Sequence, residues 1–193
     1  HIVGTFGFDA ETVIGTCRTL VRELARHGVS KVVFVNGHYE NYQFIYEGVD
    51  LALRDLAAAG ASESRVMMLS YWDFVDDTTL NTVFPDGFLG WDIEHGGVLE
   101  TSMMLHLAPD TVHMERAQNW RSTSQDRAEQ FDILGNGRSA KMGWAIEDYN
   151  ESGAVGDAAN ASAEKGARVV AAAAASLARL LQELHALPSP VQR

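Results

Sequence analysis

The chain has 193 residues with 15 Lys+Arg against 26 Asp+Glu, a formal charge of −11, and 46% hydrophobic residues. That length and apolar content suit one ordinary globular domain with a buried core and argue against a disordered chain. The acidic balance argues against a nucleic-acid partner, whose binding is dominated by Lys and Arg contacts to phosphate, and no apolar run approaches the 18 or so residues of a membrane span.

The chain begins at His1, with no initiator Met and no signal-like segment, which reads as an incomplete gene product. Asp9 stands at an N-cap position, and Val13, Cys17, Leu20, Val21 and Leu24 follow at helical spacing, predicting an amphipathic helix. Arg26 and His27 fall in its last turn and Gly28 supplies the stop. Lys31-Val32-Val33-Phe34-Val35 is a continuous β-branched run, predicting a strand buried on both faces as in a parallel sheet. After Asn36-Gly37-His38-Tyr39-Glu40-Asn41, a second helix carries Ile45, Val49, Ala52, Leu56 and Ala59 on one face and stops at Gly60. Arg65–Ser70 reads as a second buried strand, leading into Tyr71-Trp72-Asp73-Phe74.

This alternation predicts an α/β fold with right-handed crossovers. Turn signals at Pro85-Asp86-Gly87 and Gly90 precede Trp91-Asp92-Ile93-Glu94-His95-Gly96-Gly97, and a helix from about Val98 to Leu107 ends at Pro109. Residues 117–160 are polar and Gly-dotted, predicting a long surface excursion. An Ala-rich helix from about Ala161 to Leu187 follows, with Val170, Ala173, Leu177, Leu180, Leu181 and Leu184 as its apolar face and Pro188 and Pro190 ending it.

Two segments carry candidate chemistry. His38 and Glu40 lie at the carboxyl end of the first strand, where open α/β sheets place their ligand sites. Two apart, in an extended segment they leave the backbone on the same side, and imidazole with carboxylate suits Zn or Mn. The competing reading is a capped turn before a helix, and two ligands alone do not make a catalytic site. In the second segment Glu94 and His95 form a candidate proton-transfer pair. Glu100 falls in the first two turns of the next helix, where an acid also complements the helix dipole. Trp72 and Trp91 each offer a flat wall for a planar ligand, although tryptophan is more often core. Met67, Met68, Met103 and Met104 are assigned to packing. The sequence holds no phosphate-cradling glycine loop and no serine nucleophile elbow. Two Asn-x-Ser sites, Asn150 and Asn160, are discounted because nothing else indicates secretion. Cys17 is the single cysteine, so no intrachain disulfide forms and a reducing, cytoplasmic setting is favoured.

Four separated stretches resemble the creatininase (creatinine amidohydrolase) family in order: residues 35–41, residues 47–54, residues 70–75, and residues 90–97 with Glu100-Thr101-Ser102. The tail around Gly153–Asp157 and Ala163–Gly166 resembles the wider family, while residues 115–150 give no match. The resemblance implies a three-layer α/β sandwich with a mostly parallel central sheet, a single domain over 1–193 lacking its N-terminal third, and a homohexamer acting on a small molecule. It implies two divalent metals, Zn or Mn, with His38 and Glu40 among their ligands. It places Tyr39, Trp72 and Trp91 at the substrate, His95 in proton transfer, and Glu94 and Glu100 as acids near the site. The implied reaction opens a cyclic amide, creatinine to creatine. A formamide or ring ketone substrate is the sibling reading, and a catalytically dead binding or assembly module is the rival from another class. The family's early Glu-x-His motif and its bridging Asp align upstream of His1, so the 193 residues alone are expected to bind metal weakly and to be inactive.

Overall fold

The computed structural model describes residues 6–61, 64–85, 88–91, 93–135 and 145–188. His1–Thr5, Asp86, Gly87, Asp92 and Pro190, all used in reading the sequence, lie outside the described residues. The chain forms two compact units, one of Val75–Ala172 and one of Phe6–Phe74 with the chain from Ala173 onward.

In the unit that starts at Phe6, helix α1 (Ala10–Arg26) precedes strand β1 (Lys31–Asn36), helix α2 (Asn41–Ala58) and strand β2 (Arg65–Ser70). A 3-10 turn follows at Tyr71–Phe74. Strands β1 and β2 pair in parallel, from Lys31 opposite Arg65 to Asn36 opposite Ser70. This is the predicted α/β alternation. Cys17, Val21, Ile45, Val49 and Ala52 form the core between the two helices, and Phe34, Val66 and Met68 pack against it. These strand positions share parity, so one face of the pair is committed to the helices.

The expectation of a strand buried on both faces is corrected at Val35, which is 52% exposed and points to the opposite face from Phe34. On that opposite face Lys31 donates from Nζ to the carbonyls of Leu184 and His185, at 2.8 and 3.0 Å, and to that of Leu187. A cation thereby meets the negative end of the last helix. Leu20, assigned to the apolar stripe of α1, is 47% exposed.

Two contacts clamp α1 to α2. Arg18 makes a bidentate pair with Asp55, both bonds 2.7 Å, and Gly48 lets the backbones close: a Cβ there would stand 2.7 Å from both Cys17 Cβ and Ile14 O.

The other unit contains helix α3 (Asp77–Val83), capped by Asp76 Oδ1 accepting from Thr79 N at 2.7 Å, and helix α4 (Val98–Leu107). Strand β3 (Asn119–Trp120), helices α5 (Thr123–Gln130), α6 (Asp132–Gly135) and α7 (Ile146–Tyr149), and strand β4 (Gly156–Asp157) follow, β3 and β4 pairing antiparallel. Helix α8 (Ala163–Ala186) begins here and continues into the unit described first. Helix α3 was not predicted. The surface excursion expected over 117–160 is corrected as well, because Val155 and Ala158 are buried and Val155 exchanges both backbone hydrogen bonds with His95. Helix α4 meets the start of α8 at Gly166, where a Cβ would collide with the Ser102 carbonyl, and Ser162 N donates to Ser102 Oγ at 3.1 Å. On α8, Val169 is fully buried and Leu181 44% exposed, so the buried stripe is rotated from the predicted one. Met104 is exposed too, against its assignment to the core.

Two glycine substitutions test the helix clamp. Gly48→Ala should destabilise by about 1–3 kcal/mol through overpacking. Gly15→Ala, at a site with nothing within 4 Å of the new Cβ, should stabilise by roughly 0.5–1 kcal/mol. Urea unfolding of both variants against the parent checks the pair, and equal effects would show that the close approach is not what Gly48 provides.

Candidate active-site elements

The carboxyl ends of β1 and β2 are built around one buried amide. Asn36, 4% exposed, donates from Nδ2 to His38 O at 2.7 Å and to Ser70 Oγ at 3.2 Å. Its Oδ1 accepts from His38 N at 3.1 Å. A buried polar side chain needs partners, and here they are the two turns that leave the parallel strands. On the β2 side Ser70, 1% exposed, donates its backbone N–H to Asp73 Oδ2 at 2.8 Å.

The turn so held carries His38, Tyr39 and Glu40. His38 Nδ1 lies 2.6 Å from Glu40 Oε2, with both side chains partly exposed. The expected extended geometry is corrected, since Glu40 sits at the N-cap of α2 with φ −68 and ψ −20; the turn brings the two groups together. Imidazole nitrogen and carboxylate oxygen are donors that zinc and manganese accept. The pair fits as two ligands of a divalent ion. Among the described residues no group of three His, Cys, Asp or Glu is placed to hold a metal.

Beside the pair lies a pocket of about 270 Å³, lined by Tyr39, Tyr42, Gln43, Ser70, Trp72 and Asp73. The Tyr39 and Trp72 rings have centroids 6.3 Å apart and planes inclined by 31°, and Tyr71 meets Trp72 edge-on at 5.2 Å. Tyr39 and Trp72 thus form one aromatic wall. Asn36, Tyr42, Gln43 and Asp73 were not singled out from the sequence. The position of Asp73 directly after Trp72, three residues beyond a strand end, is the signal that could have found it.

The Trp91–Glu100 elements belong to the other unit. Trp91 packs edge-on against Phe88 at 5.0 Å. His95 is fixed through its backbone by the paired bonds with Val155, 3.0 and 2.7 Å. Glu94 turns back onto the start of α4, where its Oε1 accepts from Val98 N, while Gly96 N donates to Glu100 Oε2 at 2.6 Å. Both carboxylates satisfy N–H groups at a helix N-terminus, which matches the dipole-complementing reading of Glu100. Two glycines make room for Glu94: a Cβ on Gly97 or Gly156 would strike its carboxyl group. Gly156 also has φ +114, which disfavours any side chain there.

Glu94 Oε2 is buried and accepts no hydrogen bond among the described residues. Burial pushes the Glu94 carboxyl up to about 7; the N–H groups of Val98 and Leu99 oppose the rise, and the Glu100 charge adds to it. The sign for stability follows. Between the ordinary carboxylate value near 4.5 and 7, the folded chain holds a proton that the unfolded chain has lost. Stability is therefore highest below 4.5 with respect to this group and falls as pH rises to about 7, by about 3 kcal/mol. Chemical denaturation at closely spaced pH values should show that decline in the parent, and Glu94→Gln should flatten it. An unchanged slope in the variant would assign the pH dependence to other groups.

The family described as "Creatininase: Creatinine amidohydrolase" matches residues 1–181. A creatinine amidohydrolase of Pseudomonas putida is 56% identical over 117 residues, which is 60% of this chain and 45% of that protein's own length. Among solved structures, a mutant creatininase of Zn–Zn type is 40% identical with a TM-score of 0.80, over 95% of this chain and 67% of its own. A manganese creatininase is 41% identical with the same TM-score and the same coverage. Likeness at this level gives the chain the α/β creatininase fold.

Proposed function

This chain belongs to the creatininase family, and from that premise we propose that it serves a metal-dependent hydrolase opening the cyclic amide creatinine to creatine. The observation that carries the reading is the 2.6 Å His38–Glu40 pair at the carboxyl end of a parallel strand, beside an aromatic-walled pocket. Relatives named for creatinine hydrolysis and for Zn–Zn and Mn forms support the substrate and the metals.

His38 and Glu40 would hold the divalent ions as two of their ligands. When bound, such ions supply Lewis-acid polarisation of the amide carbonyl and a water of lowered pKa. In the overall reaction water adds at the ring carbonyl, the ring C–N bond breaks, and the departing nitrogen takes a proton. The product is one open chain that carries the new carboxylate at one end and the guanidino group at the other. Asn36 acts through His38: bonds to both the N–H and the C=O of that residue fix its backbone, so the imidazole is presented in one orientation. Tyr39 and Trp72 give a planar ring a flat surface and keep water from one face of it. In the other unit His95 is the residue we assign to proton delivery, supported by the family resemblance and by the rigid backbone pairing with Val155. Trp91 is assigned to substrate contact and Glu94 and Glu100 to shaping the His95 turn, on the same resemblance and on the bonds they make.

Two donors fall short of the three or more groups of a catalytic centre. Turnover is expected where residues other than these two described donors complete the ligand set. A homohexamer and a cytoplasmic setting are part of the same proposal, the latter supported by the single cysteine. No helix among the described residues is long and apolar enough to cross a membrane.

Creatine formation from creatinine, followed in full-length protein whose zinc or manganese content has been verified, tests the reading; metal-loaded full-length protein without turnover overturns it. His38→Ala should lose metal and activity together, the former read by metal analysis. Asn36→Ala should weaken metal affinity by roughly tenfold while leaving His38 in place, because a lost charge-independent tether of this kind is worth about 1–2 kcal/mol.

A further inference from the structure

The pocket beside His38 has a chemical bias that the aromatic wall alone does not explain. Of the six side chains lining it, one carries a formal charge, Asp73, and three are aromatic rings: Tyr39, Tyr42 and Trp72. A carboxylate next to π faces is the combination that recognises a flat cation, since the rings attract positive charge and the carboxylate takes two parallel N–H donors. Asp73 is exposed and tethered through one oxygen. Its Oδ2 accepts from Ser70 N at 2.8 Å, and Ser70 is itself bonded through Oγ to buried Asn36. A second carboxylate oxygen, and the remaining lone pairs of the first, stay within the chemistry of the group as acceptors for a ligand. The volume of about 270 Å³ matches a small metabolite and not a peptide.

We propose that this pocket is a guanidinium subsite, in which Asp73 is the specificity-determining carboxylate for the amidine end of the substrate. The inference rests on the hydrolase reading for what that substrate is. Ring opening converts a neutral cyclic amidine into a chain with a carboxylate at one end and a guanidinium at the other. With the guanidino end seated against Asp73, the positive charge develops beside that carboxylate, so the pocket favours the opening ring over the closed one. A ring with a carbonyl in place of the exocyclic nitrogen offers no N–H pair there and leaves the Asp73 charge facing an acceptor. The pocket therefore selects amidine rings against imide rings of the same shape.

The experiment is calorimetric titration of the metal-loaded protein and its Asp73→Asn variant with creatine, methylguanidinium and 1-methylhydantoin. Asparagine keeps an acceptor for Ser70 N–H, and a thermal melt verifies the fold. Creatine and methylguanidinium should bind roughly ten- to a hundredfold more weakly to Asp73→Asn, and 1-methylhydantoin equally well or better. Asp73→Glu, which keeps the charge, should recover much of the loss for the two cations and gives a second reading if Asp73→Asn unfolds. Equal weakening for all three ligands, or none for the cations, overturns the subsite. The two failures stay separable: creatinine turnover with unchanged cation affinity in Asp73→Asn removes the subsite alone, whereas selective methylguanidinium binding without turnover removes the reaction and leaves the subsite standing.

Discussion

The hydrogen bonds of Asn36 are what the His38–Glu40 turn and the pocket both depend on. Parallel pairing puts Asn36 opposite Ser70 at the last register position of the two strands, and burial there leaves the amide no water to bond. Its donors and acceptor are consumed by the chain leaving β1 and by the hydroxyl at the end of β2. One side chain thus sets two turns at once. The turn after β1 presents His38, Tyr39 and Glu40; the turn after β2 presents Trp72 and Asp73. An apolar residue at position 36 would bury as well, yet would leave the His38 amide and carbonyl without those bonds.

The supporting layer obeys the same economy of space. Helices α1 and α2 approach closely because Gly48 has no Cβ, and the bidentate Arg18–Asp55 pair closes the crossing from its partly exposed side. In the other unit Gly166 brings α8 onto α4, and Gly97 and Gly156 open the space that the Glu94 carboxyl fills. Small residues decide where elements approach. Carboxylates then satisfy the helix ends that such close packing leaves near the surface of a core.

Much of this architecture was legible in the sequence. Helices α1, α2 and α8 announce themselves through apolar residues at helical spacing, α4 through an apolar stretch stopped by Pro109, and β1 and β2 through short β-branched or apolar runs bounded by turn residues. Those signals are local, and each is long enough to repeat. Helix α3 has seven residues, about two turns, and its sequence Asp-Thr-Thr-Leu-Asn-Thr-Val is poor in strong helix formers; a cap and burial of Leu80 and Val83 hold it. Residues 117–160 read as surface because their apolar positions are sparse, and Val155 is buried through pairing with His95, sixty residues away in the chain. The site divides the same way. His38 and Glu40 were visible as residue types at a strand end, but their 2.6 Å contact comes from a turn and not from extended backbone. The part played by Asn36 was hidden, because its bond to Ser70 depends on a partner strand that periodicity does not identify, whereas the bond of Asp73 to Ser70 N is local, three residues back.

Cys17 lies against the missing Cβ of Gly48, in the seam between α1 and α2. It is 6% exposed, and burial pushes its thiol above the usual value, so little of the reactive thiolate exists at neutral pH. As the single cysteine of the sequence, it is a built-in clock for that seam. The rate at which an alkylating reagent marks the protein measures how often the two helices part, and it does so without adding a label anywhere else.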